Sequence, residues 1–290
     1  MSQSEDGVAL TQLRPMTASR WVAGSGPLVL RATTLLYVGL MVVIPLAALS
    51  WEAARPGPSA FWAELKNPLA WHAIRLTFTT ALIMVAINAV TGLATAWVLV
   101  RYRFPGHGLV NALVDLPFAV PTIVTGVMLV ALYGPTSVMG SILGRYGIGV
   151  IYEQPGIILA LLFVTFPFVV RSVQPVLMEM DRAEEEAAAT LGASPWTTFR
   201  RIVLPALRPA VWTGCALSFS RALGEFGSVI LVAGNKPMKT QTAPLYIFGE
   251  IESGNRHGAL VVSTVLLVCS LAILLVVGYV QRRGGRHHVH

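Results

Sequence analysis

The sequence predicts an all-α, polytopic membrane protein with about six transmembrane helices, and three observations predict it. Only 12% of the 290 residues are charged and the mean hydropathy is +0.66, whereas a soluble domain carries roughly 25% charged residues. Six stretches stay apolar over the about 20 residues that a hydrocarbon core of about 30 Å requires. Lipid offers backbone N–H and C=O groups no partner, so these stretches are read as helices.

The spans are expected at 28–49, 74–100, 109–133, 156–178, 209–233 and 259–280. Pro45, Pro117, Pro121, Pro167 and Pro175 fall inside them, which predicts kinked and closely packed helices rather than straight rods. Residues 1–27 form a polar tail. They show no short apolar core followed by a small-residue cleavage site, so no signal or transit peptide is expected and the first apolar stretch is kept as a span. Residues 281–290 form a second, basic and His-containing tail. Between the tails, 28–280 reads as one membrane domain without internal repeat.

Lys and Arg divide unevenly between alternate sides. The first tail with Arg31, the 101–108 loop, the 171–208 region and the last tail hold thirteen; the other three loops, with Arg75 at a span edge, hold seven. The positive-inside rule makes the first side cytoplasmic, with both termini there. The same flanking charges account for the net charge of +7 without a nucleic-acid partner; the surrounding partner is membrane lipid. On the opposite side, Trp51, Phe61, Trp62 and Trp71 suggest an interfacial helix in the 51–73 loop. The 234–258 loop, polar and mixed in charge, reads as a surface loop.

Catalytic signatures are missing from the sequence. Cys215 and Cys269 lie inside apolar stretches with no metal-ligand or redox spacing. There is no G-x-x-x-x-G-K-[ST] phosphate loop, metal cluster, nucleophile elbow or pair of catalytic carboxylates. No enzyme and no cofactor of its own are expected of this chain, and energy for uphill transport would come from elsewhere.

One polar stretch, 180–205, interrupts the apolar chain. Strong helix formers run from Met180 to Leu191, with Asp181, Glu184, Glu185 and Glu186 near the start, where the helix dipole favours negative charge. Gly192 reads as the glycine after a helix end. Ser194 and Pro195 read as the N-cap and first residue of a second short helix, expected to end at Pro205. Trp196, Phe199 and Val203 share one face of it, flanked by Arg200 and Arg201. An amphipathic helix lying on lipid would suit the basic half, whereas a protein partner accounts for both halves.

Glu186-Ala187-Ala188, Gly192 and Ile202-Val203-Leu204-Pro205 resemble the EAA loop of ABC importer permeases. Asp115 to Thr122, Ala131 to Gly134 and Arg221 to Ile230 resemble the sulfate and molybdate permease branch. Phe168 to Leu177 and Val232 to Asn235 are more similar to its sulfate/thiosulfate T-type members. The resemblance implies a type I importer permease fold in a bacterial inner membrane. It also implies that the loop docks in a cleft on a separate ATP-hydrolysing subunit through Glu186, Ala187, Ala188, Gly192, Ser194, Trp196, Phe199, Arg200, Leu204 and Pro205. ATP and Mg would be bound by that partner. The assembly implied has two ATP-binding subunits, a second homologous permease that makes a heterodimer, and a periplasmic sulfate-binding protein.

An anion cannot cross dry hydrocarbon, where the idealised cost per charge is of order 20 kcal/mol, so a polar path is required. Candidate path residues are Thr122, Thr125, Thr213, Ser218 and Ser220, although hydroxyls within spans also serve helix packing. Arg221 and Glu225 stand four apart within a span and can pair. They would either fix packing or attract a passing anion without holding it. A molybdate or tungstate permease, and a secondary anion transporter or channel, remain the alternatives at this point.

Overall fold

The computed structural model describes residues 26–284, with side chains over 28–279; of the two tails assigned at 1–27 and 281–290, residues 1–25 and 285–290 lie outside the described residues, and 281–284 continue the last helix. By their internal contacts the residues form two units, divided between Ala48 and Leu49. From the first, α1 (Gly26–Val38) runs through a π-helical turn at Gly39–Val43 into α2 (Ile44–Ala54), whose residues from Leu49 onward belong to the second unit. Its apolar side chains are exposed along its length, Leu30 by 70% and Leu35 by 72%.

The second unit holds α3 (Pro58–Leu65), α4 (Pro68–Arg101), α5 (His107–Ala119), α6 (Thr122–Tyr133) and α7 (Val138–Arg145). After these come α8 (Gln154–Glu179), α9 (Arg182–Thr190), α10 (Pro195–Thr198) and α11 (Leu204–Leu223). The last three are α12 (Gly227–Ala233), α13 (Ala243–Glu252) and α14 (Arg256–Gly284). Five helical stretches among the described residues are long and apolar enough to cross a membrane, or six if α5 and α6 form one broken span.

Long α4, α8 and α11 make the centre. Toward one end Ala96, Leu99, Val169, Val170, Val173, Leu177, Val203 and Leu207 pack together; toward the other, Met84, Ile157, Leu161, Phe219, Leu223 and Val229 do so. Polar atoms tie the same three helices. The Asn88 amide donates to Thr165 Oγ1 at 2.9 Å, and the Ser218 hydroxyl donates to the Thr165 carbonyl at 3.3 Å.

Four sequence expectations are corrected. The 109–133 span is not one helix: α5 and α6 meet at 112°. Pro121 has no N–H to continue the ladder and forces the preceding Val120 into an extended conformation (φ −85°, ψ 126°). Likewise the 209–233 span stops at Leu223, and the short α12 follows as a separate element. The 234–258 loop contains α13, whose Ala243, Leu245 and Tyr246 are buried, with the Ala243 N–H donating to Thr77 Oγ1 at 2.8 Å. Finally Arg171, counted above among loop charges, lies inside α8; removing it leaves the excess on that side intact. The 51–73 loop does hold a short helix, α3, and Trp51, Trp62 and Trp71 in and around it are more than half exposed.

Leu207→Ala removes a fully buried side chain between α8 and α11. It should destabilise the protein by about 2–5 kcal/mol in a reversible denaturant titration in detergent. Leu113→Ala, at a 53% exposed position, should stay within about 0.5 kcal/mol of the parent.

Candidate functional site

The 180–205 stretch folds as two short helices meeting at a bend, for the local reasons its residues supply. Met180 leaves α8 in an extended conformation. Asp181 caps α9 instead of lying within it, its carboxylate accepting from the Ala183 N–H at 2.9 Å. Glu184 and Glu185 occupy the first turn, next to the positive end of the helix dipole. At the other end the Ala193 N–H donates to the Ala188 carbonyl and the Gly192 N–H to the Ala189 carbonyl, each at 3.0 Å. This double closure needs a left-handed residue, and Gly192 supplies it with φ +82°. Ser194 Oγ then accepts from the Thr197 N–H at 3.2 Å, and Pro195 opens α10.

Pro205 does not end the second helix. The chain continues helically from Pro195 to Leu223, through a π-helical turn at Phe199–Val203 in which the Leu204 N–H bonds the Phe199 carbonyl. A π turn supplies the slack that an interior proline ring otherwise lacks against the preceding turn. Pro205 thus lies in the first turn of α11, and the bent pair is joined directly to a membrane-length helix.

An aromatic and charged seam fastens the loop to the bundle. Glu185 forms an ion pair with Arg101, the last residue of α4. The Arg101 guanidinium lies 5.3 Å from the centre of the Trp97 ring. Trp97 meets Phe199 edge-on at 5.4 Å, and Phe199 stacks on Trp196 at 5.7 Å. Outward, Glu186, Ala187, Gly192, Pro195 and Arg200 are exposed, and Ala188 is half-buried beside them. Trp196 is 68% exposed and Leu191 88%. Ser194 and Pro205 are also exposed, while Phe199 and Leu204 are half-buried. Of the expected apolar stripe, only Trp196 faces out; Val203 is fully buried.

The proposed path residues divide. Thr122, Arg221 and Glu225 gather around the break between α11 and α12. Arg221 Nη1 lies 2.7 Å from Glu225 Oε2, with the arginine side chain 37% exposed and the glutamate 1%. Glu225 Oε1 accepts from both the N–H and the hydroxyl of Ser228 at 2.9 Å, holding the start of α12. A Cβ on Gly227 would collide with Thr122 Oγ1, so only glycine lets α6 and α12 approach there. Thr125 and Ser218, 1% and 0% exposed, lie within helix contacts and not on a surface. Thr213 bonds back to the Pro209 carbonyl at 2.7 Å, and Ser220 is half-buried.

Residues 88–285 match the family model described as "Binding-protein-dependent transport system inner membrane component". The chain belongs to this family. The chain is 46% identical over 250 residues to a probable sulfate transport system permease protein of Nephroselmis olivacea, covering 86% of this chain and 88% of that one. It is 43% identical over 257 residues to the sulfate transport system permease protein CysT of Escherichia coli K12, covering 89% and 93%. Its fold is similar to a chain of a bacterial alginate ABC transporter crystallised with a pentasaccharide-bound periplasmic protein (TM-score 0.71, 18% identity, 89% and 95% covered). It is also similar to a chain of an inward-facing methionine ABC transporter (TM-score 0.56, 18% identity, 75% and 98% covered). The fold is therefore that of an ABC importer permease, a multi-pass membrane protein.

In this inner membrane component, sequence reasoning missed Arg101 and Leu191. In the sequence Arg101 reads as a loop charge because its partner lies 84 positions away. Leu191 reads in the sequence as the end of a helix, and no local pattern marks its side chain as exposed.

Gly192→Ala places a Cβ in the left-handed region at a cost of about 1–2 kcal/mol. Amide hydrogen exchange over 188–198 should accelerate while the melting temperature of the membrane bundle holds.

Proposed function

We propose that this chain is the transmembrane permease subunit of an ATP-driven importer of sulfate or thiosulfate. The α9–α10 pair takes up motion from a separate ATP-hydrolysing subunit. The observation that carries the reading is the construction of that pair. A small-residue, acid-and-aromatic surface around Glu186, Ala187, Gly192 and Trp196 is exposed at one end of the bundle. The same segment runs unbroken into α11 and is pinned to α4 through Glu185 and Arg101. A push on the outer face is thereby delivered to two membrane helices. The sulfate-transport names of relatives 42–46% identical over most of the chain support the choice of anion.

In this reading the loop faces the cytoplasm, as the Lys and Arg distribution indicates. ATP and Mg are held by two partner subunits. A second, homologous permease completes the path as a heterodimer, and a periplasmic sulfate-binding protein delivers the anion on the other side. The path-facing groups of this chain are Thr122 and Arg221, with Glu225 limiting how tightly Arg221 holds a dianion. Ser218 and Thr125 shape the helices behind them.

The test is ATP-driven uptake of labelled sulfate in proteoliposomes holding the assembled transporter. Glu186→Ala and Gly192→Asp should abolish both uptake and uptake-coupled ATP hydrolysis; activity equal to the parent would remove the loop from the mechanism. Excess thiosulfate should compete with sulfate, and stronger competition by molybdate would reassign the substrate. A Leu191→Cys variant should react with a membrane-impermeant thiol reagent from the cytoplasmic side alone.

A further inference from the structure

A second charged assembly lies within the bundle. The Arg171 guanidinium, on α8, uses all five of its N–H donors on this chain's own acceptors. Nε donates to Asp115 Oδ1 at 2.7 Å and Nη2 to Asp115 Oδ2, a bidentate pair. Nη2 also donates to the Asn111 carbonyl at 2.8 Å, and Nη1 donates to Asn111 Oδ1 at 2.9 Å and to Gln174 Oε1. Asn111 and Asp115 are on α5, Gln174 on α8.

Depth makes this assembly informative. Arg171 stands eight residues before the end of α8 and Asp115 eight residues after the start of α5. At 1.5 Å per residue both sit about 12 Å in from the helix ends. The Arg171 and Asp115 side chains are nonetheless 29% and 48% exposed. Ionisable groups at such depth face protein or a watered cavity, not lipid. Apolar contacts of Val114 with the α8 cluster already hold the two helices together. Cohesion alone therefore gives no reason for a charge network, and the best-attested use of such a network is to fix one register.

The two helices so fixed have different neighbours. α8 leads through Met180 and Asp181 straight into α9 of the docking loop. α5 leads into the 112° turn and α6, which packs on α12 beside Thr122, Arg221 and Glu225. We infer that Asp115 and Arg171 form a positioning clamp that makes α8 and α5 move as one body, so that displacement of the docking loop reaches the bent α5–α6 segment. Neither residue binds the anion: with every donor engaged, Arg171 has none to offer. The inference rests on the coupling role proposed above.

The experiment uses the assembled transporter in proteoliposomes, measuring sulfate uptake per ATP hydrolysed. Asp115→Asn and Arg171→Lys should each keep the ATP-hydrolysing subunits bound and hydrolysing, while uptake per ATP falls about tenfold. Lysine retains the charge but cannot reproduce the five-donor fork. The exchanged pair, Asp115→Arg with Arg171→Asp, should recover part of the loss. Uptake per ATP within about twofold of the parent in both single variants would overturn the clamp.

A second measurement needs no substitution in the network. Spin labels at exposed Leu113 of α5 and Met178 of α8 are placed in a protein whose Cys215 and Cys269 are alanine. They should keep one distance through the nucleotide cycle, and a distance that changes with nucleotide defeats the proposal even if the network variants fail to fold. Absence of ATP-driven uptake by the parent transporter would instead count against the function proposed above, so the two failures are distinguishable.

Discussion

At span depth lipid completes no unfinished hydrogen bond, so a break in a helix is closed by the chain's own atoms or opens on a watered cavity. Each irregularity of the bundle follows from that constraint. Where α11 stops at Leu223, Glu225 turns its carboxylate onto the N–H and hydroxyl of Ser228. Where Pro205 would stall a helix, a π turn carries the ladder past it. At Val120–Pro121 the missing donor belongs to a proline, so the 112° turn forfeits fewer bonds than the same turn elsewhere would. Breaks are placed where residue chemistry makes them least costly, and those are the places at which the bundle can bend.

This arrangement explains how far the sequence could be read. The long apolar stretches were legible because lipid demands length and low charge, and both are local properties. The 180–205 loop was legible for a related reason: Asp181, Gly192, Ser194 and Pro195 act within a few residues of themselves, and each took a role close to the one its type dictates. Pro121 and Pro205 were not legible. Both are prolines in apolar surroundings; one breaks a span and the other is absorbed, and the difference lies in the π turn preceding Pro205. Arg171 was misplaced for another reason. Its partners on α5, Asp115 and Asn111, are 56 and 60 positions away, so the sequence alone presents it as the first charge of a loop.

Three of the ion pairs among the described residues share a pattern. Arg101 with Glu185, Arg171 with Asp115 and Arg221 with Glu225 each set a guanidinium against a carboxylate. Two of the three join different helices, and the Arg101 pair reaches from α4 to α9. Beyond the polar surfaces the bundle thus carries little uncompensated charge, as a low-dielectric setting requires. In each pair guanidinium geometry permits a forked, directional bond that lysine could not make. No lysine occurs between Lys66 and Lys236, a span of sequence that contains all three pairs.

Within the Arg221–Glu225 pair the two partners are not equivalent, and this bears on how a dianion could pass. Glu225 is 1% exposed and is held by two further bonds to Ser228; Arg221 is 37% exposed. Moving the carboxylate would unfasten the start of α12, whereas moving the guanidinium breaks one contact and leaves that helix in place. In the transport role proposed above, any exchange of partners at this point falls to the arginine, which would turn from a fixed carboxylate toward an anion and back. An arginine that always has a carboxylate to return to gives a dianion a resting place of limited depth. Transport needs such a limit, since a site that binds too well does not release.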